Sequence, residues 1–115
     1  MPMTMERRKA QRMTTYLPVR LRVESSGRYL ETLAKDVSLS GMRCVLRDAP
    51  SVGEELALEV PLSIATMPVH ASARVAWVRQ LPETDQALVG LQFHDLLPAD
   101  TLLLSTYLAH APTGA

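Results

Sequence analysis

The chain has 115 residues, 47% of them apolar and 21% charged, a size and composition that suit one folded domain and exclude both a second core and a wholly disordered chain. Its formal net charge of zero hides a polarity: residues 1–47 carry ten Lys and Arg against four acids, a net +6, and the remainder carries two against eight, a net −6. One cysteine, Cys44, excludes an internal disulfide, and no apolar run approaches the roughly 18–20 residues of a membrane span.

The opening MPMTMERRKAQR is charged, has no apolar stretch behind it and so does not read as a secretory signal. With the lone cysteine, this places the chain in the cytoplasm, without membrane insertion. Residues 1–15 lack periodicity and are expected to form a flexible basic N-terminal arm. The arm holds Arg7-Arg8-Lys9-Ala10-Gln11-Arg12, in which Arg8 and Arg12 form a pair with three residues between them. Ten of the twelve basic residues are arginine, whose planar fork suits phosphates and guanine edges. An anionic partner is therefore expected for the N-terminal half.

A first strand follows, where Val19-Arg20-Leu21-Arg22-Val23-Glu24 alternates apolar and charged side chains with period two. Ser25-Ser26-Gly27 marks a turn, and a second extended segment runs from about Arg28 to Val37. It ends in Asp36-Val37-Ser38-Leu39-Ser40-Gly41, an Asp-x-Ser-x-x-Gly element that arises by chance in about one chain in seventy of this composition. Asp36 and Ser38 are two apart, so an extended backbone puts both on one face. Read by themselves, Asp36, Ser38 and Gly41 also suit a plain tight turn.

After Gly41, the side chains of Met42, Cys44 and Leu46 face one way and those of Arg43, Val45 and Arg47 the other. Ala49 to Gly53 reads as a loop, and Leu56, Leu58 and Val60 form the apolar face of a fourth strand. A fifth runs from Val69 to Arg79, with Val69, Ala71, Ala73, Val75 and Trp77 on its apolar face. Trp77 has two readings: a plug in the core beside Val75, or a platform on which a purine stacks, with Arg79 nearby. Arg43 and Arg47 read as solvated cations or as an extension of an anion site. The turn at Pro82-Glu83-Thr84-Asp85 leads into a sixth strand, Leu88 to Phe93. Pro98 suits a first helical position, and Leu103, Leu104, Tyr107 and Leu108 share one helical face.

Six short strands and one terminal helix predict an all-β fold, a six-stranded antiparallel β-barrel with a C-terminal α-helix, since closure removes sheet edges. The expected organisation is an arm over residues 1–15, a barrel with its helix over 16–110 and a tail over 111–115. Enzyme readings find no support. His70, His94 and His110 lack metal-ligand spacing, and one cysteine cannot build a structural zinc site. No Gly-rich phosphate loop or Gly-x-Ser-x-Gly elbow is present. Cys44 lies on an apolar face and reads as a buried side chain rather than a nucleophile. No catalytic residue, metal or cofactor is expected, and aromatic side chains are too few for a nucleic-acid polymer.

An arginine pair on an N-terminal arm, a strand, a turn and a second strand ending in Asp-x-Ser-x-x-Gly resemble the PilZ domain family. Val89-Gly90-Leu91-Gln92-Phe93 is similar to that family's last barrel strand, and the resemblance extends from roughly Glu6 to Leu108. It implies a six-stranded barrel with an appended helix and a receptor for cyclic di-GMP without catalysis of its own. Arg8 and Arg12 would then bond guanine O6 and N7 or a phosphate from the arm, which orders as it wraps the ligand. Arg7 would add a cation that accompanies a stacked ligand dimer. The Asp36 carboxylate would accept from guanine N–H donors, Ser38 would donate to a phosphate or a base, and Gly41 would permit a positive φ and close approach of the ligand. Output would pass through an effector protein. The alternative within the same fold is a ligand-independent protein-interaction adaptor.

Overall fold

The computed structural model of the chain describes residues 13–62 and 67–110, with side chains described from Leu17 to Ala109 within these ranges. The strands are β1 (Met13–Val23), β2 (Tyr29–Val37), β3 (Gly41–Arg47), β4 (Glu55–Val60), β5 (Val69–Gln80) and β6 (Gln86–Leu96), followed by helix α1 (Pro98–His110). They close into an antiparallel barrel in the order β1-β2-β3-β6-β5-β4, so two three-stranded meanders join along the β3–β6 and β1–β4 seams.

The alternation in the sequence is what fills the barrel. Leu17, Val19, Leu21 and Val23 of β1, Met42, Cys44 and Leu46 of β3, and Leu56, Leu58 and Val60 of β4 point inward and are buried. Val69, Ala71, Ala73 and Val75 of β5 meet Ala87, Val89 and Leu91 of β6 in the same cluster. Burying a valine or leucine side chain contributes about 1.5–3 kcal/mol, so the regular inward set accounts for most of the driving force. Burial also pushes the Cys44 thiol up to about 12, which leaves it protonated and unreactive near neutrality.

Helix α1 starts at Pro98, where the missing N–H costs nothing, and packs against β5. Leu104 is buried, and Leu103, Tyr107 and Leu108 pack partly against the core, as their spacing predicts. The Asp100 carboxylate in its first turn accepts a bond from the backbone N–H of His70 at 3.3 Å, fastening the helix to the start of β5.

Strand bounds differ from the sequence reading in one useful place. β1 begins at Met13, inside the stretch that reads as arm, because Met13 and Thr14 pair with Val37 and Asp36. That pairing depends on the backbone of β2, a partner distant in the chain. Residues 1–12 and 111–115 lie outside the described residues, and with them the expectations placed on Arg7, Arg8 and Arg12.

Candidate ligand-binding face

Two irregularities in strand pairing decide where the candidate residues point. Between β2 and β3 the register passes from Ala34 opposite Cys44 to Asp36 opposite Arg43, so Lys35 is an extra residue in β2. Strict alternation would have put Asp36 on the inward face of Ala34. The bulge turns it outward, onto the face of Arg43, whose neighbours Met42 and Cys44 are both buried. Between β5 and β6 the register passes from Val75 opposite Leu91 to Trp77 opposite Gly90, so Ala76 is extra in β5. Val75 stays in the core, and Trp77 leaves it with 39% of its surface exposed. The core-plug reading of Trp77 is thereby corrected: the extra residue breaks the face that alternation assigned to Val75 and Trp77 together.

These bulges complete a row across the outer surface. Asp36, Arg43, Gly90 and Trp77 lie opposite one another on β2, β3, β6 and β5 in turn. Gly90 is the position in the row where a side chain is excluded. A β-carbon there would collide with the Trp77 indole, lying 2.7 Å from Cζ2, so the ring covers Gly90. The Arg79 guanidinium approaches the other end of the row at 6.0 Å from the Trp77 ring centroid, within cation–π range. A shallow pocket of 220 Å³ opens beside the row, walled by Ser40, Arg43, Trp77, Gly90 and Gln92.

Arg43 donates from Nε to Asp36 Oδ2 at 2.7 Å and also from Nη2 to the same oxygen. The hydrogen bond to Asp36 holds the guanidinium above its ordinary pKa, against a smaller opposing effect of burial. Asp36 is only 3% exposed, whereas 42% of the Arg43 side chain meets solvent. The carboxylate is thus the floor and the guanidinium the surface. Arg47, the other outward cation of β3, makes an exposed ion pair with Asp85 at 3.2 Å.

Ser38 is fully buried in the β2–β3 turn. Its Oγ lies 3.0 Å from Ser40 Oγ, accepts from Ser40 N–H at 3.1 Å and donates to Gly41 O at 3.4 Å. Its backbone N–H donates to Gly41 O at 2.8 Å, and Phe93 N–H to Ser40 O at 2.9 Å, which ties the turn to β6. Gly41 differs from expectation. Among the described residues the glycines with positive φ are Gly27 and Gly53, not Gly41. Gly41 is required by packing instead: a β-carbon would overlap the Leu91 carbonyl oxygen and lie 3.1 Å from the carbonyl carbon.

The structure thus brings Asp36, Trp77, Gly41 and the Ser38 turn to one side of the barrel, and Met13 opposite Val37 delivers the chain end that follows Arg12 to the same place. Sequence reasoning left Arg43 between a solvated cation and an extension of an anion site. Its tie to Asp36 depends on the bulge at Lys35, and no local pattern reports it. Elsewhere on the surface, Glu55 accepts from Arg74 Nε at 3.0 Å and lies 2.6 Å from His94 Nε2, and these contacts hold its carboxyl below the ordinary value. Among the described residues no group of three or more His, Cys, Asp or Glu could hold a metal ion, and no helix is long and apolar enough to cross a membrane.

A closed six-stranded barrel with an appended helix and an Asp-x-Ser-x-x-Gly turn at one edge defines a small class of domains. The PilZ domain model matches residues 6–110, and the chain belongs to that family. Among solved structures it is similar to the inhibitor of motility MotI/DgrA of Bacillus subtilis, with 25% identity and a TM-score of 0.72 over 90% of this chain and 49% of that one. The PilZ domain of YcgR from Escherichia coli, solved with c-di-GMP, has 18% identity and a TM-score of 0.67, covering 87% of each chain. The MrkH–c-di-GMP complex of K. pneumonia has 16% identity and a TM-score of 0.68, over 92% of this chain and 52% of that one. The chain therefore spans about half the length of the B. subtilis and K. pneumonia proteins. A comparison with curated protein sequences finds no match.

Proposed function

We propose that this chain is a receptor for cyclic di-GMP that has no chemistry of its own and signals by changing the surface it shows to an effector protein. The observation that carries the reading is the pairing of Met13 with Val37, which starts the basic arm beside the Asp36–Gly41 element. From there Arg8 and Arg12 reach the outer row, where a guanine edge or a phosphate meets arginine forks and a base can stack on Trp77. Arg7 supplies a further cation. Asp36, with the Ser38–Gly41 turn beneath it, accepts from guanine N–H donors. Binding draws residues 1–12 onto the barrel, an ordering switch whose output is a new surface. The barrel with its helix, residues 16–110, acts as the platform, followed by a tail over 111–115. The setting is the cytoplasm, where an effector protein is the partner and neither a nucleic-acid polymer nor a membrane is engaged.

Calorimetric titration with cyclic di-GMP tests the reading. Heat at micromolar ligand, abolished by replacing Arg8 and Arg12 with Ala while the fold stays intact, is the expected result; wild-type protein that gives no heat overturns it.

One observation favours a second reading. Ser38 is fully buried and bonded within its own turn, and Asp36 is held by Arg43. Such a pre-satisfied turn also suits a ligand-independent adaptor of the same fold. Capture of one effector with equal yield in the presence and absence of cyclic di-GMP would favour it.

A further inference from the structure

We infer that Arg43 is a third ligand-reading arginine of this face, fixed on the barrel itself and contacting a phosphate of a ligand whose base lies on Trp77. The inference rests on the receptor reading above and adds a residue outside both sequence motifs. Three observations carry it. First, Arg43 is anchored: two of its N–H groups, on Nε and Nη2, bond Asp36 Oδ2, so its long side chain is held in one geometry before any ligand arrives. A pre-ordered fork loses less conformational entropy on binding than a free surface arginine. Second, it is presented: 42% of the side chain is exposed while the carboxylate that anchors it is 4% exposed, so solvent meets the cation and not its counter-ion.

Third, its position relative to the indole is set by the sheet. Arg43 and Trp77 flank Gly90 on adjacent strands, and the indole lies back over Gly90 toward Arg43. Two strand spacings of about 4.8 Å separate their backbones, the indole covers the intervening Gly90, and both side chains line the wall of the same pocket. Sharing one pocket wall, the two side chains can meet a base and a phosphate of one ligand.

The alternative role for Arg43 is structural, neutralising Asp36 and nothing more. Lysine separates the two, because it keeps the charge and can reach a carboxylate but lacks the planar fork. The experiment measures thermal unfolding and cyclic di-GMP affinity for wild type, Arg43→Lys and Arg43→Met, with the fluorescence of Trp77, the single tryptophan, as a direct reporter. If Arg43 reads the ligand, Arg43→Lys unfolds near the wild-type temperature yet binds at least tenfold more weakly. Arg43→Met binds more weakly still, and where it fails to fold Arg43→Lys decides alone. If Arg43→Lys restores both stability and affinity, the role is structural and the inference is overturned. Wild-type affinity in a folded Arg43→Met overturns it equally. Wild-type protein that binds no cyclic di-GMP brings down the receptor reading itself, a failure distinct from the other two.

Discussion

The sharpest prediction concerns Gly41→Ala. In the Asp-x-Ser-x-x-Gly element this glycine faces the backbone of β6, and a β-carbon would overlap the Leu91 carbonyl oxygen and lie 3.1 Å from Leu91 C and 3.3 Å from Gln92 Cα. None of these atoms belongs to a side chain that can swing aside, so the β3–β6 seam must open where Gly41 pairs with Gln92. Overpacking of this kind costs about 1–3 kcal/mol, and the loss of a ladder hydrogen bond adds about 1 kcal/mol. At about 2.1 cal/mol/K per residue, a chain of 115 residues has an unfolding entropy near 0.24 kcal/mol/K, so each kcal/mol lowers Tm by about 4 °C. The expected fall is about 8–16 °C by circular dichroism. Gly90→Ala is the control. Its obstacle is the half-exposed Trp77 ring, which can rotate away at about 0.5–1.5 kcal/mol, with a red shift in emission as it becomes more exposed. A Gly41→Ala protein melting with the wild type, or less destabilised than Gly90→Ala, would refute the packing account.

Three other outcomes follow from the same geometry. Trp77→Ala is expected to weaken cyclic di-GMP binding by about 5- to 150-fold, the equivalent of about 1–3 kcal/mol per stacked base, with Tm nearly unchanged; titration calorimetry beside thermal melts checks both. Glu55 is held below its ordinary value of 4.5 by Arg74 first and His94 second, so its contribution to stability is present above that value and fades as pH falls through the lower folded one. The Tm difference between wild type and Glu55→Gln should therefore be larger at pH 7 than at pH 3, and a gap that widens toward acid contradicts the assignment. Cys44, with its thiol near 12, should resist an aromatic disulfide reagent at pH 8 in the folded protein and react fully in denaturant; rapid labelling of the native state would show that the β3 face is not closed.

Much of this molecule is legible in its residues because period-two alternation and the demand for a dry interior are local rules. Val19-Arg20-Leu21-Arg22-Val23 can bury only one face, and Met42, Cys44 and Leu46 turned inward as their spacing requires. Pro98 and the Leu103–Leu108 face likewise place the helix without reference to the rest of the chain. The Asp-x-Ser-x-x-Gly element announced a turn at the end of β2, and one is there. What the residues could not disclose was which strands lie side by side and where one strand carries a residue more than its neighbour. The β3–β6 seam puts Arg43 beside Gly90, and the extra residues Lys35 and Ala76 rotate Asp36 and Trp77 out of the core. Sequence alone determined that a barrel with a polar turn would form, since burial is decided residue by residue. Only the tertiary structure decided that a carboxylate, a guanidinium and an indole share one outer row, because strand register is a property of partners distant in the chain.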